Sequence, residues 1–259
     1  MKIGIIGTGN MGGALMDAFC LGNHSMRAYN PGWEKLAAVC ARTGAEAVDS
    51  PEKAVEGADL VLLAVKPIVM PSVLERIAPV IREDQIIVSI AVGLTIESYA
   101  QVLGEDRKIV RAMPNTPAAV QAGMTAFSFG THVTEAEQKL VLDLFALAGG
   151  TAVLPERLMN AVSALTGSSP AYVYMFIEAM ADGACWAGIP RAQAYQMAAQ
   201  AVLGAAKMVL ETGKHPAQLK DEVCSPGGTT IRAVAELEQR GMRSAVIEAM
   251  KSCVDAAGG

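Results

Sequence analysis

The chain begins with the sequence KIGIIGTGNMG at residues 2–12, an apolar run followed by glycines at G-x-G-x-x-G spacing, and helix-forming residues follow at 14–19. A strand, a glycine turn and a helix in this order are typical of dinucleotide-binding domains. Gly7 permits the tight turn out of the strand, Gly9 leaves the backbone open to a pyrophosphate, and Gly12 lets the helix approach the strand. A glycine-rich hairpin or a plain packing joint would give the same pattern, but the context favours a nucleotide site.

Strand-like and helix-like segments alternate through the first 150 residues. Continuous apolar runs at 59–65 and 85–91 are typical of parallel strands that are covered on both faces. The pattern Thr134-x-x-Glu137 predicts a capping box at the start of a helix. Together, these segments predict a twisted parallel sheet with helices on both sides.

The composition changes after residue 154, and nothing from there onward is typical of a strand. We predict helices at 169–187, 190–211, 229–240 and 242–256, the first with Ser169 as its cap. These helices are apolar over more of their circumference than a small monomeric bundle hides, so we expect a partner subunit to cover them. The predicted fold is therefore α/β. It has an N-terminal Rossmann-like dinucleotide-binding domain at residues 1–154, followed by an all-α helical dimerisation domain at residues 155–259.

The overall composition is apolar and acidic. Of the 259 residues, 52% are hydrophobic and 18% are charged, and the formal net charge is −5. This charge, without a cluster of Lys or Arg, argues against nucleic acid as a partner. Contact with a membrane or burial between subunits would each explain the apolar composition. Because no uninterrupted apolar stretch reaches the ~18 residues of a membrane span, we expect a homo-oligomer and no membrane.

The cysteines bear on the compartment and on metal binding. There are five, they are widely spaced, and none forms a C-x-x-C pair. This pattern argues against a disulfide framework and against a zinc site, so no metal is expected. The first predicted strand begins at residue 2, which leaves no room for a signal peptide. The expected location is therefore cytoplasmic.

The residue at the end of the second predicted strand bears on the choice of nucleotide. In NAD-binding domains an acidic side chain at this position holds the ribose hydroxyls, whereas this chain has Asn30. An amide does not repel a 2′-phosphate, so NADPH is favoured and NADH stays possible. Lys35 is the nearest cation.

The carboxyl ends of the strands line the cofactor crevice in such domains. Lys66 has three possible roles. A solvated charge and a contact with a phosphate or ribose are both favoured over a catalytic base. Asn115 lies between two prolines and suits either a hydrogen bond near the nicotinamide or a cap of its own turn. The predicted cofactor-binding residues are Gly7, Thr8, Gly9, Asn10, Met11, Gly12, Asn30, Ala64, Val65, Lys66, Pro67, Ala91, Val92, Gly93 and Asn115.

A second candidate site lies at residues 221–232, which have the sequence DEVCSPGGTTIR. Two glycines and two threonines at the mouth of a helix present unpaired backbone N–H groups with hydroxyls beside them. This arrangement suits a small anion such as a carboxylate. A loop followed by a capped helix, with no ligand, would give the same residues.

Several segments of the chain resemble the pyrroline-5-carboxylate reductase family. The resemblance covers essentially the whole chain in order, and its C-terminal motif is highly specific. The matching segments are AVKP at 64–67, RAMPNTP at 111–117, LTGSSPAY at 165–172, DG at 182–183 and LKDEVCSPGGTT at 219–230.

The resemblance implies NAD(P)H-dependent reduction of 1-pyrroline-5-carboxylate to L-proline, the last step of proline synthesis. It implies that residues 7–12 and 64–67 hold the cofactor. It also implies dimers through the helical domain, further assembly into decamers in many members, and an active site shared between subunits. The substrate-binding residues that it implies are Ser225, Gly227, Gly228, Thr229 and Thr230.

Thr230 is the predicted catalytic residue. Its hydroxyl can both donate and accept, which suits a hydrogen bond to the imine nitrogen. Solvent is the alternative source of the proton.

Two other functions fit part of the sequence. A β-hydroxyacid dehydrogenase resembles the first domain, but that family needs a catalytic lysine soon after a glycine-rich segment. Here no lysine follows Gly167 until Lys207. A non-catalytic nucleotide sensor would keep the glycine turn but would not need the residues at 225–230.

Overall fold

The computed structural model describes residues 1–257. These divide into two compact units, one of residues 1–167 together with 256–257 and one of residues 168–255. The strands of the first unit are β1 (Lys2–Ile6), β2 (Ser25–Tyr29), β3 (Glu46–Ala47), β4 (Leu60–Leu63), β5 (Ile86–Ser89), β6 (Lys108–Met113), β7 (Gly123–Phe129) and β8 (Gly149–Val153). Its α-helices are α1 (Asn10–Phe19), α2 (Trp33–Thr43), α3 (Pro51–Val55), α4 (Met70–Ile77), α5 (Ile96–Leu103), α6 (Glu135–Ala146) and α7 (Met159–Val162). The predicted domain boundary after residue 154 stays a prediction.

The strands described above form one eight-stranded sheet in the order β3-β2-β1-β4-β5-β6-β7-β8. The neighbouring strands from β3 to β6 pair in parallel, but β7 runs antiparallel to β6, and β8 is parallel to β7. The prediction of a parallel sheet is therefore wrong for the direction of these last two strands. Only residues 114–122 join β6 to β7, whereas a parallel return needs a crossover of about a dozen residues or more.

The central strands are buried on both faces, as their continuous apolar runs predict. In β4, Leu60 and Leu62 pack in a cluster with residues of α1, α2 and α6. Val61 and Leu63 point the other way and pack with residues of α3, α4 and α5. The two faces of the sheet thus carry separate apolar cores, and the prediction of helices on both sides is confirmed.

Two helix starts differ in how well their predicted caps agree with the structure. At α6 the Thr134 side chain accepts from the backbone of Glu137, and the Glu137 side chain accepts from the backbone of Thr134, which confirms the capping box. The cap predicted at Ser169 is wrong, because Ser169 is the first residue of the next helix and Ser168 precedes it with helical backbone angles. A π-helical turn at Ser163–Gly167 leads directly into that position and leaves no extended residue to act as a cap.

The second unit is helical, as predicted. Its helices are α8 (Ser169–Trp186), α9 (Arg191–Thr212), α10 (Pro216–Val223), α11 (Thr229–Gln239) and α12 (Met242–Ala256). Within residues 168–255, the buried residues are Ala181, Ala194 and Ala198, while Trp186 is 93% exposed. Of the helices formed by residues 1–257, none is long and apolar enough to cross a membrane.

Candidate functional site

The turn between β1 and α1 has the geometry that its three glycines predict. Gly7 has a φ of +103°, and a Cβ there would lie 2.6 Å from the carbonyl oxygen of Ala64. A Cβ on Gly12 would lie 2.1 Å from the carbonyl oxygen of Gly7, so this glycine is needed for helix α1 to pack against the turn. A Cβ on Gly9 would meet no protein atom within 4 Å. The space beside Gly9 is therefore open to a ligand.

The same turn offers unpaired donors at the start of α1. Gly9 is the N-cap of this helix and has no side chain with which to satisfy the first N–H groups. Thr8 is 3% exposed, and its hydroxyl oxygen lacks a hydrogen-bond partner within residues 1–257. A buried polar group without a partner is costly, and a pyrophosphate oxygen would satisfy it. The residues present therefore fit a dinucleotide.

A cavity of about 500 Å³ continues from the glycine turn toward α2. Gly9 and Asn10 line one side of it, and Lys35 and Arg42 line the other. The Arg42 guanidinium donates two hydrogen bonds to Asp17, at 2.6 and 2.9 Å, and is thereby neutralised. Lys35 is exposed and forms no ion pair with any residue from 1 to 257, so it is the cation in this cavity that is free to meet a phosphate.

Asn30 lies behind the glycine turn and supports it. Its Oδ1 accepts from the backbone N–H of Thr8 at 3.4 Å, and its Nδ2 donates to the carbonyl oxygen of Gly32 at 3.2 Å. The structure thus places Asn30 directly after β2 and in contact with the glycine turn. Its role toward the nucleotide stays a prediction.

The carboxyl ends of β1, β4 and β5 lie side by side. The Ala64 N–H donates to the carbonyl oxygen of Ile6 at 2.8 Å, and the Ile90 N–H donates to that of Leu63 at 3.1 Å. These bonds bring residues 64–67 and residues 91–93 to the same edge of the sheet as the glycine turn. The predicted cofactor residues of the first unit therefore share one edge.

Lys66 lies at this edge and is exposed. It forms no ion pair among the residues that the structure describes. An exposed ammonium group suits a solvated charge or a phosphate or ribose contact, and these two interpretations and the catalytic base all stay predictions.

Asn115 has a role that neither interpretation of the sequence includes. Its Nδ2 donates to the carbonyl oxygen of Thr166 at 3.0 Å, and its Oδ1 accepts from the backbone N–H of Met124 at 2.8 Å. The prediction that this amide caps its own turn is wrong, because its side chain makes no cap hydrogen bond there. The side chain instead ties the π-helical turn to the start of β7. A contact with the nicotinamide stays a prediction.

The loop before α11 is a tight turn. The Gly228 N–H donates to the carbonyl oxygen of Ser225 at 3.1 Å, with Pro226 and Gly227 at the two central positions. Gly227 has a φ of +69°, and Pro followed by a glycine of positive φ is typical of a type II turn. A Cβ on Gly228 would lie 2.3 Å from the Oγ of Ser225 and 3.1 Å from its carbonyl oxygen, so a side chain at residue 228 would require the Ser225 hydroxyl to move.

This turn delivers the chain to the start of α11 without a capping side chain. Gly228 is the N-cap, so the N–H groups of the first helical turn have no side-chain acceptor from the cap residue. Thr229 is exposed and Thr230 is half-buried. Free N–H groups beside two hydroxyls match the geometry that a carboxylate site needs, and the site itself stays a prediction.

A polar cluster on the α5 face of the sheet was not predicted from the sequence. Arg111 is 4% exposed within the central strand β6, and Ser89 is fully buried at the end of β5. The signal in the sequence was an arginine inside the otherwise apolar run IVRAM at 109–113. Buried arginines require partners, so an arginine in such a run is a sign of a polar group nearby, although it does not identify that group.

Within residues 1–257, no three His, Cys, Asp or Glu side chains are close enough to hold a metal ion.

A Rossmann-like unit with a glycine turn that fits a dinucleotide, followed by a helical unit, is the architecture of a nicotinamide-dependent oxidoreductase. A pyrroline-5-carboxylate reductase of Escherichia coli (strain K12) is 50% identical over 258 residues, which cover 98% of this chain and 96% of that protein. The chain belongs to the pyrroline-5-carboxylate reductase family.

Family models and solved structures agree with this assignment. Residues 156–258 match the model for pyrroline-5-carboxylate reductase dimerisation, and residues 2–93 match that for NADP oxidoreductase, coenzyme F420-dependent. The structure of a pyrroline-5-carboxylate reductase from Coxiella burnetii has a TM-score of 0.93 at 31% identity and covers 99% of this chain and 97% of its own. The NADP-bound pyrroline carboxylate reductase of Plasmodium falciparum has a TM-score of 0.87 at 30% identity, with the same coverage.

Proposed function

We propose that this chain catalyses the NAD(P)H-dependent reduction of 1-pyrroline-5-carboxylate to L-proline, the last step of proline biosynthesis. The observation that carries the proposal is the glycine-capped start of α11 behind the turn at residues 225–228. A dinucleotide turn alone would fit any nicotinamide enzyme, whereas this loop fits a small substrate with a carboxylate. Relatives up to 50% identical over nearly the whole chain bear the name of this reductase.

The cofactor would be held by residues 7–12, together with the strand ends at 64–67 and 91–93. When bound, a reduced nicotinamide supplies the hydride that the carbon of the C=N bond accepts. The free ammonium of Lys35 and the neutral amide of Asn30 favour NADPH, because neither repels a 2′-phosphate. NADH lacks that phosphate and is accepted less well.

The substrate carboxylate would be bound by the turn and the first N–H groups of α11. Such a contact with a helix start contributes about 0.3 to 1 kcal/mol when exposed and up to about 2 kcal/mol when partly buried. Hydroxyls beside the carboxylate add hydrogen bonds that orient the ring. The residues in this role are Ser225, Gly227, Gly228, Thr229 and Thr230.

Thr230 would act on the imine nitrogen. Its half-buried hydroxyl can donate to the nitrogen as the C=N bond becomes an amine, and it can accept from an iminium N–H. An iminium is already electrophilic, so correct placement supplies much of the acceleration. Solvent is the alternative source of the proton.

We propose a homodimer through the helical unit, with decamers as the larger assembly. The matching dimerisation model covers residues 156–258, and α8 exposes large apolar side chains such as Met175 and Trp186. An exposed apolar surface of this kind is typical of a contact with a partner. Five free cysteines suit the reducing cytoplasm, which is the proposed location.

One assay tests the function. The purified full chain is mixed with NADPH and 1-pyrroline-5-carboxylate, and oxidation of NADPH is followed by absorbance, with proline identified by mass spectrometry. We expect stoichiometric formation of proline. Oxidation of a β-hydroxyacid with NADP⁺ would indicate the dehydrogenase alternative. Binding of NADPH without turnover of either substrate would indicate a nucleotide sensor, and both results would overturn the proposal.

A further inference from the structure

A mostly buried polar cluster lies on the α5 face of the sheet and contacts the backbone at both ends of residues 90–95. Its members are Ser89 on β5, Tyr99 on α5, Arg111 on β6 and Glu156 after β8. Ser89 and Tyr99 are at most 1% exposed, and Arg111 is 4% exposed. Burial of polar side chains costs desolvation free energy, and hydrogen bonds within the cluster must compensate for it.

The first half of the cluster fixes the start of the segment at residues 90–95. The Tyr99 phenol oxygen and the Ser89 Oγ share a hydrogen bond of 2.5 Å. The Ser89 Oγ also accepts from the backbone N–H of Ala91 at 3.2 Å. A chain of two hydrogen bonds therefore runs from the middle of α5 to the first peptide of the segment. Burial raises the pKa of the Tyr99 phenol, which keeps its proton in place.

The second half of the cluster fixes the other end of the segment. The Glu156 Oε1 accepts from the backbone N–H of Ile96 at 2.8 Å, at the start of α5, and from Arg111 at 3.3 Å. Arg111 is the register partner of Ser89 on the neighbouring strand. Both ends of the segment are thus tied to the same row of the sheet.

The segment between these ties faces outward. Val92 is 47% exposed, and Gly93 has a φ of +82°. Its residues Ala91, Val92 and Gly93 belong to the predicted cofactor edge, where small errors in position matter greatly. A displacement of ~1 Å in a positioning element can lower a reaction rate by about 100-fold.

We infer that Tyr99 is a positioning residue that holds residues 91–93 in place through Ser89, an inference that rests on the proposed function. Tyr99 is 1% exposed, so it acts on this segment from inside the protein. Its ring fills the core, and only its hydroxyl acts on the segment. Replacement by phenylalanine therefore separates the two roles, because it removes one oxygen and keeps the ring.

The test uses Tyr99→Phe in the full chain. The first readout is amide hydrogen exchange without cofactor, where we expect exchange at residues 90–95 to rise about fivefold, as loss of one hydrogen bond predicts. The second is turnover of 1-pyrroline-5-carboxylate, where kcat falls about fivefold. The third is binding of adenosine 2′,5′-bisphosphate, which lacks the nicotinamide; its Kd stays within about twofold. Tyr195→Phe, an exposed tyrosine of α9, is the matched control and behaves as the wild type.

Ser89→Ala removes the middle of the chain of hydrogen bonds and must reproduce both changes. In the double variant, exchange and kcat must change no more than in the more affected single variant. The reason is that both substitutions break the same connection from Tyr99 to Ala91. Unchanged exchange at residues 90–95 or an unchanged kcat in Tyr99→Phe overturns the inference. A rise in exchange spread over the whole sheet also overturns it, because it indicates a purely structural role. A wild-type chain that does not reduce the substrate refutes the proposed function instead, and the exchange readout then decides the inference alone.

Discussion

The carbonyl oxygen of Gly7 lies 2.1 Å from the point that a Cβ on Gly12 would occupy. Real Cβ atoms do not approach a backbone oxygen so closely, so any side chain at residue 12 would push α1 away from the turn. Gly9 lies between these two residues in the sequence, and a Cβ there would meet no protein atom within 4 Å. The two positions therefore serve different ends, one packing of the fold and the other access for a ligand.

This contrast gives a prediction with a built-in control. Gly12→Ala lowers the free energy of unfolding by roughly 2 kcal/mol or more, because the methyl group overlaps backbone. Gly9→Ala has permitted backbone angles and changes stability by less than about 1 kcal/mol, yet it weakens NADPH binding at least tenfold by occupying the pyrophosphate space. Urea unfolding and fluorescence titration measure the two effects. Equal binding of NADPH by Gly9→Ala and the wild type would contradict the prediction.

Thr230 gives a prediction on catalysis. We expect Thr230→Ala to lower kcat about 10- to 100-fold, since a hydrogen bond to a charged group contributes about 1.5 to 3 kcal/mol. NADPH affinity stays within about twofold, because the hydroxyl serves the substrate. Thr230→Ser keeps the hydroxyl and restores most of the rate. Steady-state kinetics with both substrates varied makes the comparison, and an unchanged kcat in Thr230→Ala removes this residue from the mechanism.

The sequence predicted the parts of the site that depend on neighbours in the chain. The roles of Gly7 and Gly12 follow from a local pattern of a strand, a turn and a helix, and the structure has that geometry. The partner of Asn115 is Thr166, which lies 51 positions away, so no local pattern could indicate it. For the same reason the cluster around Arg111 was not predicted from the sequence. Long-range pairing of polar side chains depends on tertiary structure.

Asn30 gives a prediction on cofactor preference. Asn30→Asp keeps the oxygen that accepts from Thr8 but adds a negative charge where the 2′-phosphate is expected. We expect the KM for NADPH to rise about tenfold, and the KM for NADH to stay the same or fall, because an acidic residue there binds ribose hydroxyls. Lys35→Ala removes the free cation and must also raise the KM for NADPH alone. Equal changes for both cofactors would show that the effect is structural.

The Lys108 and Glu137 pair gives a prediction on pH. Their charged groups are 2.5 Å apart and about four-fifths buried. Burial raises the pKa of Glu137, but hydrogen bonds from Lys108 and Thr134 outweigh burial and leave this pKa below its ordinary value. A lowered pKa in the folded state stabilises the fold above the unfolded value of about 4.3, and this contribution is lost as the pH falls through the folded pKa.

Glu137→Gln should therefore lower the free energy of unfolding by roughly 1 kcal/mol at neutral pH, as loss of a helix cap does. Its difference from the wild type should shrink as the pH falls below about 4. Urea unfolding across this range measures both. Glu135→Gln removes the same charge from an exposed position in the same helical turn and should change stability by less than about 0.5 kcal/mol. A difference that persists at low pH would contradict the assigned cause.

The exposed helices give a prediction on assembly. On α8, four consecutive residues are all exposed and apolar: Val173, Tyr174, Met175 and Phe176. Successive residues of a helix point about 100° apart, so these side chains surround most of the helix, and a lone chain would expose them all. We expect the wild type to have a mass that is a multiple of the 27.0 kDa chain.

Met175→Glu should raise the dissociation constant of the oligomer on the order of 100-fold, because it buries an unpaired charge. Leu21→Glu places the same charge on an exposed apolar site of the first unit and should leave the mass unchanged. Light scattering across a dilution series measures both, and a Met175→Glu protein as oligomeric as the wild type at every concentration would place the interface elsewhere.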